Sequence, residues 1–191
     1  PWIEKMLEQT QHHWTLNTLA VGDVPDLALQ VQFAQDEPFG GLPTLGMSTV
    51  HRSARERGVT VLLDGNGVDE GWAGYEYYTR AADVAGGRGP VQGARAGSGV
   101  LDAVMRPAFA ALAQPWSPPK PSGDPLRDLQ YRDIRFAKIP RALRFNDRVS
   151  MMHSRELREP FLDHRIVELG LRQPASRKIR DGQGKWLVRQ V

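Results

Sequence analysis

An apolar run of branched side chains stops abruptly at glycine in Val61-Leu62-Leu63-Asp64-Gly65-Asn66-Gly67, and Val68-Asp69-Glu70-Gly71-Trp72-Ala73-Gly74-Tyr75 follows at once. No other segment limits the fold as tightly. Val59 to Leu63 is short, apolar and rich in branched residues, which predicts a buried strand. In an open α/β sheet the loop leaving the carboxyl end of such a strand opens into the ligand crevice. Gly65 and Gly67 permit positive φ and close backbone approach, so their N–H groups can face phosphate oxygens. Asp69 and Glu70 are hard oxygen ligands of the kind magnesium takes beside a polyphosphate. The same letters have a plainer reading, because Asp-Gly and Asn-Gly are strong hairpin-turn signals. Trp72, Tyr75, Tyr78 and Thr79 recur at helical rather than alternating spacing, which argues for strand, loop and helix. On spacing alone a nucleotide loop and a structural strand-to-helix turn both stay open.

The flanking segments fit an α/β order. Trp2 to Gln9 carries a weak helical pattern, and His13 to Val21 reads as a strand through the alternation of Trp14, Leu16 and Thr18. Adjacent His12 and His13 do not share a helix face and have no carboxylate at ligand spacing, which argues against a metal pair. A helix is predicted from Val24 to Phe33, then an acidic turn at Asp36-Glu37-Pro38. Another helix follows from Pro43 to Arg57, with Gly58 as its C-cap. Residues 81–125 break the order with Gly/Pro-rich stretches around an apolar segment from Val100 to Leu112. They read either as an irregular excursion with one helix over the site or as a disordered surface insertion. From Leu126 the pattern is helical again, with Ala142, Phe145, Val149 and Met152 on one face. Pro160 ends that run, and Asp163 is placed to cap a helix carrying Ile166, Val167 and Leu169.

Composition removes several classes of function. The chain has 191 residues, enough for one domain with a substantial core, and a net charge of +3. Only five of its 25 basic residues are lysine, and no basic block is dense enough for a nucleic-acid stripe. With no cysteine it has no disulfides, thiolate metal sites or thiol nucleophile. No apolar run approaches a membrane span and no signal-peptide pattern opens the chain, so a cytoplasmic protein is expected.

The glycine loop resembles the "SGEGxDExxxGY" or "SGDGxDExxxGY" loop of the asparagine synthetase family, in its synthetase domain. Leu143-Arg144-Phe145-Asn146-Asp147-Arg148-Val149-Ser150-Met151 with Glu156-Leu157-Arg158-Glu159-Pro160-Phe161-Leu162-Asp163-His164 is similar to that family's "LRxxDRxSMxxxxExRxPFLDH". Lys178-Ile179-Arg180 through Gly184-Lys185-Trp186-Leu187-Val188-Arg189 resembles "KI...K.LLR", and Asp36-Glu37-Pro38-Phe39 resembles "DEPF". The four blocks keep the family's order over residues 36 to 189. The resemblance implies an α/β fold, the C-terminal part of a PP-loop ATPase-type parallel sheet flanked by helices, with a helical C-terminal region. It also implies an upstream "SGGxDS" loop and a glutaminase domain. Neither occurs in residues 1–191, so these are expected to be part of a longer chain and inactive alone.

The activity implied is ATP-dependent amidotransfer: a carboxylate is adenylated, and ammonia from glutamine then displaces AMP. The implied cofactors are ATP and magnesium (Mg2+). The implied partners are a small carboxylate, ammonia and the glutaminase domain, with a homodimer possible and neither nucleic acid nor membrane expected. Carried over residue by residue, Asp64, Gly65, Asn66 and Gly67 would meet pyrophosphate, and Lys185 would neutralise phosphate or oxyanion charge. Asp69 would bind magnesium or buttress the loop, and Asp147 with Arg148 would face substrate. Phe161 and Asp163 would be structural. Two positions depart from the family. Asn66 replaces its loop carboxylate, and a neutral amide cannot act as a general base. Asp64 replaces its serine, so Asp64 is the candidate relocated proton acceptor, with substrate or water as alternatives. The divergence fits an enzyme that amidates a sugar uronic acid or a natural-product carboxylate in place of aspartate. It equally fits a catalytically silent relative.

Overall fold

The computed structural model describes residues 2–80, 106–112 and 118–191, so the predicted features at 81–105 and 113–117 lie outside the described residues. Two compact units make up the chain. One comprises Pro1–Thr60 with Arg148–Glu156, the other Val61–Asp147 with Leu157–Val191.

In the first unit, helices Trp2–Thr10, Val24–Gln35 and Leu42–Glu56 appear where the apolar spacing and the prolines at 25 and 43 predict them. Pro25 and Pro43 stand in the first turn, where a missing N–H costs nothing. Val24–Gln35 ends on Asp36 at φ 55. After Glu56 the chain turns through Gly58 at φ 74, the left-handed position that glycine fills without steric cost. Leu27, Val31, Leu45 and Val149 form the core of this unit, with Leu19, Phe39, Met47 and Met152 packed against it. The strand expected from His13 to Val21 is not formed. Residues 11–20 are irregular and lead into a 3-10 turn at Val21–Asp23. Trp14 and Leu16 are exposed, so the alternation there marks no buried face.

The second unit begins with strand β1, Val61–Leu63, which pairs in parallel with β2, Glu156–Arg158. Asp64 N–H donates to the Arg158 carbonyl at 2.9 Å. The predicted burial of this strand is corrected: Leu63 is 71% exposed and Val61 37%. One neighbouring strand covers an edge but not the faces of β1. The mixed α/β character is as expected, with a two-stranded parallel sheet and many helices among the described residues.

The helix predicted by the aromatic spacing is broken into two single turns, Val68–Gly71 and Glu76–Thr79, because Ala73 adopts φ 57 between them. Helix Pro125–Arg132 starts on Asp124, whose Oδ1 accepts the Arg127 N–H at 2.8 Å. A π-turn, Asp133–Ala137, follows it and leads into the long helix Ile139–Met152. Within that helix, residues to Asp147 belong to the second unit and those from Arg148 to the first. Pro160–Leu162 forms a 3-10 turn, and Asp163 caps His164–Arg172 by accepting the Arg165 N–H at 2.9 Å. Ala73, Tyr78, Leu126 and Leu129 form the core of this unit, with Tyr75, Tyr77 and Ile179 against them. No helix among the described residues is long and apolar enough to cross a membrane.

Candidate active site

β1 runs directly into residues 64–67, and side chains rather than a hairpin ladder close this loop. Asp64 Oδ1 accepts the Gly65 N–H at 2.6 Å. Its Oδ2 accepts from Asn66 Nδ2 at 2.9 Å and from Asn146 Nδ2 at 3.4 Å. Asn66 Nδ2 donates a second time, to Glu159 Oε1 at 2.9 Å. An amide oxygen would repel both carboxylates, so the NH2 group must face them. One neutral amide therefore bridges two acids, using a hydrogen for each.

The two loop glycines are not equivalent. Gly67 sits at φ 94, and a Cβ there would collide with the Leu162 side chain and stand 3.3 Å from the Phe161 carbonyl. The Pro160-Phe161-Leu162 turn thus packs on the loop backbone itself. Gly65 is not in the left-handed region, and a Cβ there would meet nothing within 4 Å. Both glycines permit positive φ, and only Gly67 adopts it. The N–H of Gly65, which could face a phosphate oxygen, donates to Asp64 Oδ1.

Past the loop, Asp69 Oδ1 lies 2.8 Å from Lys185 Nζ. Two glycines make this contact possible. A Cβ on Gly74 would strike the Asp69 side chain, and one on Gly184 would strike the Ala73 carbonyl. Lys185 itself takes φ 58 and donates its N–H to the Trp72 carbonyl at 2.9 Å. Glu70, read as a possible ligand with Asp69, turns inward instead. It is buried and accepts the Tyr75 hydroxyl at 3.0 Å, and burial pushes its carboxyl above the usual range. Among the described residues no three His, Asp or Glu side chains converge on one point. Asp69 already engages an ammonium, so this donor set does not resemble a protein-held magnesium site.

Sequence reasoning missed the group that holds the loop helix. Gln130 Nε2 donates to the carbonyls of Glu70 at 2.6 Å and Gly71 at 2.8 Å. Gln130 Oε1 in turn accepts from Lys178 Nζ at 2.7 Å. Both side chains are buried, and desolvation lowers the Lys178 ammonium to about 8. The "KI" block therefore has a physical reason that spacing did not reveal: Lys178 orders the amide that grips the last carbonyls of Val68–Gly71. Nearby, Asp133 Oδ2 accepts the hydroxyls of Tyr77 at 2.5 Å and Tyr78 at 2.8 Å, while Arg132 holds Oδ1. Lys138 lies over the Tyr75 ring, 3.3 Å from its centroid. The aromatic stretch is scaffold.

A cavity of about 360 Å³ opens beside the loop, lined by Leu143, Arg144, Asn146, Asp147, Leu157 and Glu159. Asp147 is among the residues that line it. Arg148 is assigned to the other unit, where its Nη1 pairs with Asp36 Oδ2 at 2.5 Å. Glu159 is the second residue that the sequence did not single out. Its Oε2 is inaccessible and has no hydrogen-bond partner, and burial raises its carboxyl above the usual range, Asn66 pulling the other way and the nearby Asp64 charge adding to the rise. An acidic residue directly before Pro160 was the available signal. A family model described as asparagine synthase matches residues 1–191. No curated protein matches the chain.

Proposed function

Because the chain belongs to the asparagine synthase family, we propose that it acts as an ATP-dependent amide ligase, adenylating a carboxylate and aminating it with ammonia from glutamine. One observation carries this reading. Two separated sequence blocks converge on the loop after β1 and the turn that follows it, one through Asn146 on Asp64 and Glu159 on Asn66, the other through Lys185 on Asp69. ATP supplies the activation, turning a poor leaving oxygen into AMP. The chain's own part is positioning and charge. Lys185, oriented by Asp69, neutralises phosphate or oxyanion charge in a partly dehydrated setting where such contacts count most. Gly67 lets Leu162 pack directly on the loop backbone that would hold the nucleotide phosphates, and Asp147 would face the substrate from the cavity. Magnesium enters this scheme with the nucleotide phosphates, and no step is assigned to a protein-held ion. The two strands are taken as part of a larger PP-loop-type sheet. The exchange of the loop acid for Asn66 favours a substrate other than aspartate, such as a uronic acid or a natural-product carboxylate.

ATP–pyrophosphate exchange in the full-length protein, across a panel of amino-acid and uronic-acid carboxylates, tests the reading. At least one acid should support exchange, and Lys185→Ala should slow it by about 100-fold or more, as for loss of one oxyanion donor. A second reading, a relative that does not turn over, is favoured by the Gly65 N–H, which is already engaged by the Asp64 carboxylate. ATP binding without exchange on any acid would select that reading.

A further inference from the structure

We propose that Glu159 is the base that takes the proton from the attacking ammonia, with Asn66 as the residue that holds it in place. This rests on the ligase reading above. In the amide-forming step the nitrogen lone pair forms the new N–C bond at the acyl carbon. One N–H proton passes to the Glu159 carboxylate. The C–O bond to AMP then breaks, and its electron pair leaves with the phosphate. No further reagent is needed.

Geometry selects Glu159 over its neighbours. It lines the same cavity as Asn146 and Asp147. One of its oxygens is pinned by Asn66 Nδ2 at 2.9 Å, and the other, Oε2, has no partner. Oε2 is closed to solvent, so Oε1, the oxygen that Asn66 holds in place, is the one that takes the proton. A carboxylate with an unsatisfied, desolvated oxygen gains by accepting a proton. Asp64 differs, since donors reach both of its oxygens. Asn66 has no proton-accepting group of comparable strength.

The arrangement also explains why an amide stands at position 66. A carboxylate there would place three acids in mutual contact, whereas the amide supplies a hydrogen to Asp64 and another to Glu159. Asn66 thus stands between two acids, one in the loop and one directly before Pro160.

The experiment separates the two half-reactions. In the full-length protein, ATP–pyrophosphate exchange reports adenylation, and ammonium-dependent amide formation reports the second step. The acids used are L-aspartate, L-glutamate and D-glucuronate. Glu159→Gln should keep exchange within about threefold and slow amide formation by about 100-fold or more, the usual range for loss of a general base. Amide formation within threefold of the parent would overturn the proposal. So would a parallel loss of both half-reactions in a folded variant, which would place Glu159 in binding or adenylation. Should Glu159→Gln fail to fold, Glu159→Asp decides by the same comparison: unchanged exchange with a slowed second step supports the base role, and equal rates refute it. Absence of exchange by the parent protein on every acid would instead refute the ligase reading, and the proposal with it.

Discussion

Asn66 places both of its amide hydrogens on carboxylates, and this makes it a sensitive position of the loop. Asn66→Asp adds a third acid where two already depend on a shared donor. We expect a loss of about 1–3 kcal/mol at pH 7, the usual cost of leaving buried acceptors unsatisfied. The added acid has its folded-state affinity for protons raised by its like-charged neighbours. Its penalty is therefore present at neutral pH and relieved as the pH falls through the folded-state value. Urea unfolding at pH 7 and pH 4.5 measures this, and an equal loss at both would refute the electrostatic cause. The loop glycines give a second contrast. Gly67→Ala must accept left-handed backbone and a collision with Leu162, at a cost of about 2–4 kcal/mol. Gly65→Ala meets open space and should cost less than about 1 kcal/mol. Thermal melts of the two variants rank them. At this scale the sequence was only half legible. Asp-Gly-Asn-Gly announced a loop with unusual backbone, but which glycine needs it depends on Leu162, 95 positions away. Asn66 was visible as a departure, whereas its compensation by Glu159 required the fold.

A single-turn helix such as Val68–Gly71 cannot stand alone, since one turn fixes several dihedrals for very few hydrogen bonds. Its neighbours hold it from several directions. Gln130 takes its last carbonyls, Lys185 takes Asp69, and a Cβ on Gly170 would stand only 3.0 Å from the Gly71 carbonyl. The long amphipathic elements were readable because apolar period and end signals agree, as at Pro43 and Gly58. The failures share a cause. His13 to Val21 has strand-like alternation but no buried face, and Trp72 to Thr79 has helical spacing interrupted by a left-handed Ala73. Local pattern proposes an element, and long-range contacts decide whether it persists.

For the molecule as a whole, the buried ionisable groups predict a stability curve with a maximum on the alkaline side. Lys178 has its folded-state value lowered to about 8 from an ordinary 10.5. Between those limits the unfolded chain binds more protons, so stability rises with pH across that window. Tyr75, Tyr77 and Tyr78 act in the opposite sense. Burial is the main cause that pushes each above its ordinary value of 10, so their contribution is complete below pH 10 and is lost above it. Unfolding free energy should therefore climb from pH 8 towards 10 and then decline. Lys138, whose ammonium burial also lowers, adds to the climb, so Lys178→Met should reduce it while leaving the decline. Denaturant titrations at half-unit intervals provide the measurement, and a climb unchanged by the substitution would exclude Lys178 as a source.

β1 carries one further consequence. Val61 to Leu63 spans three residues, has β2 as its one strand neighbour among the described residues, and turns Leu63 outward. Among the described residues no third strand pairs with β1, and an uncovered strand edge beside exposed leucine is a template for any extended segment that meets it. Residues 1–191 produced alone should therefore self-associate along this edge at high concentration, whereas the larger sheet of the proposed full-length protein would occupy it. A lysine introduced at position 63 is the natural remedy, because a charged side chain there discourages the approach of a second strand without touching the loop that follows.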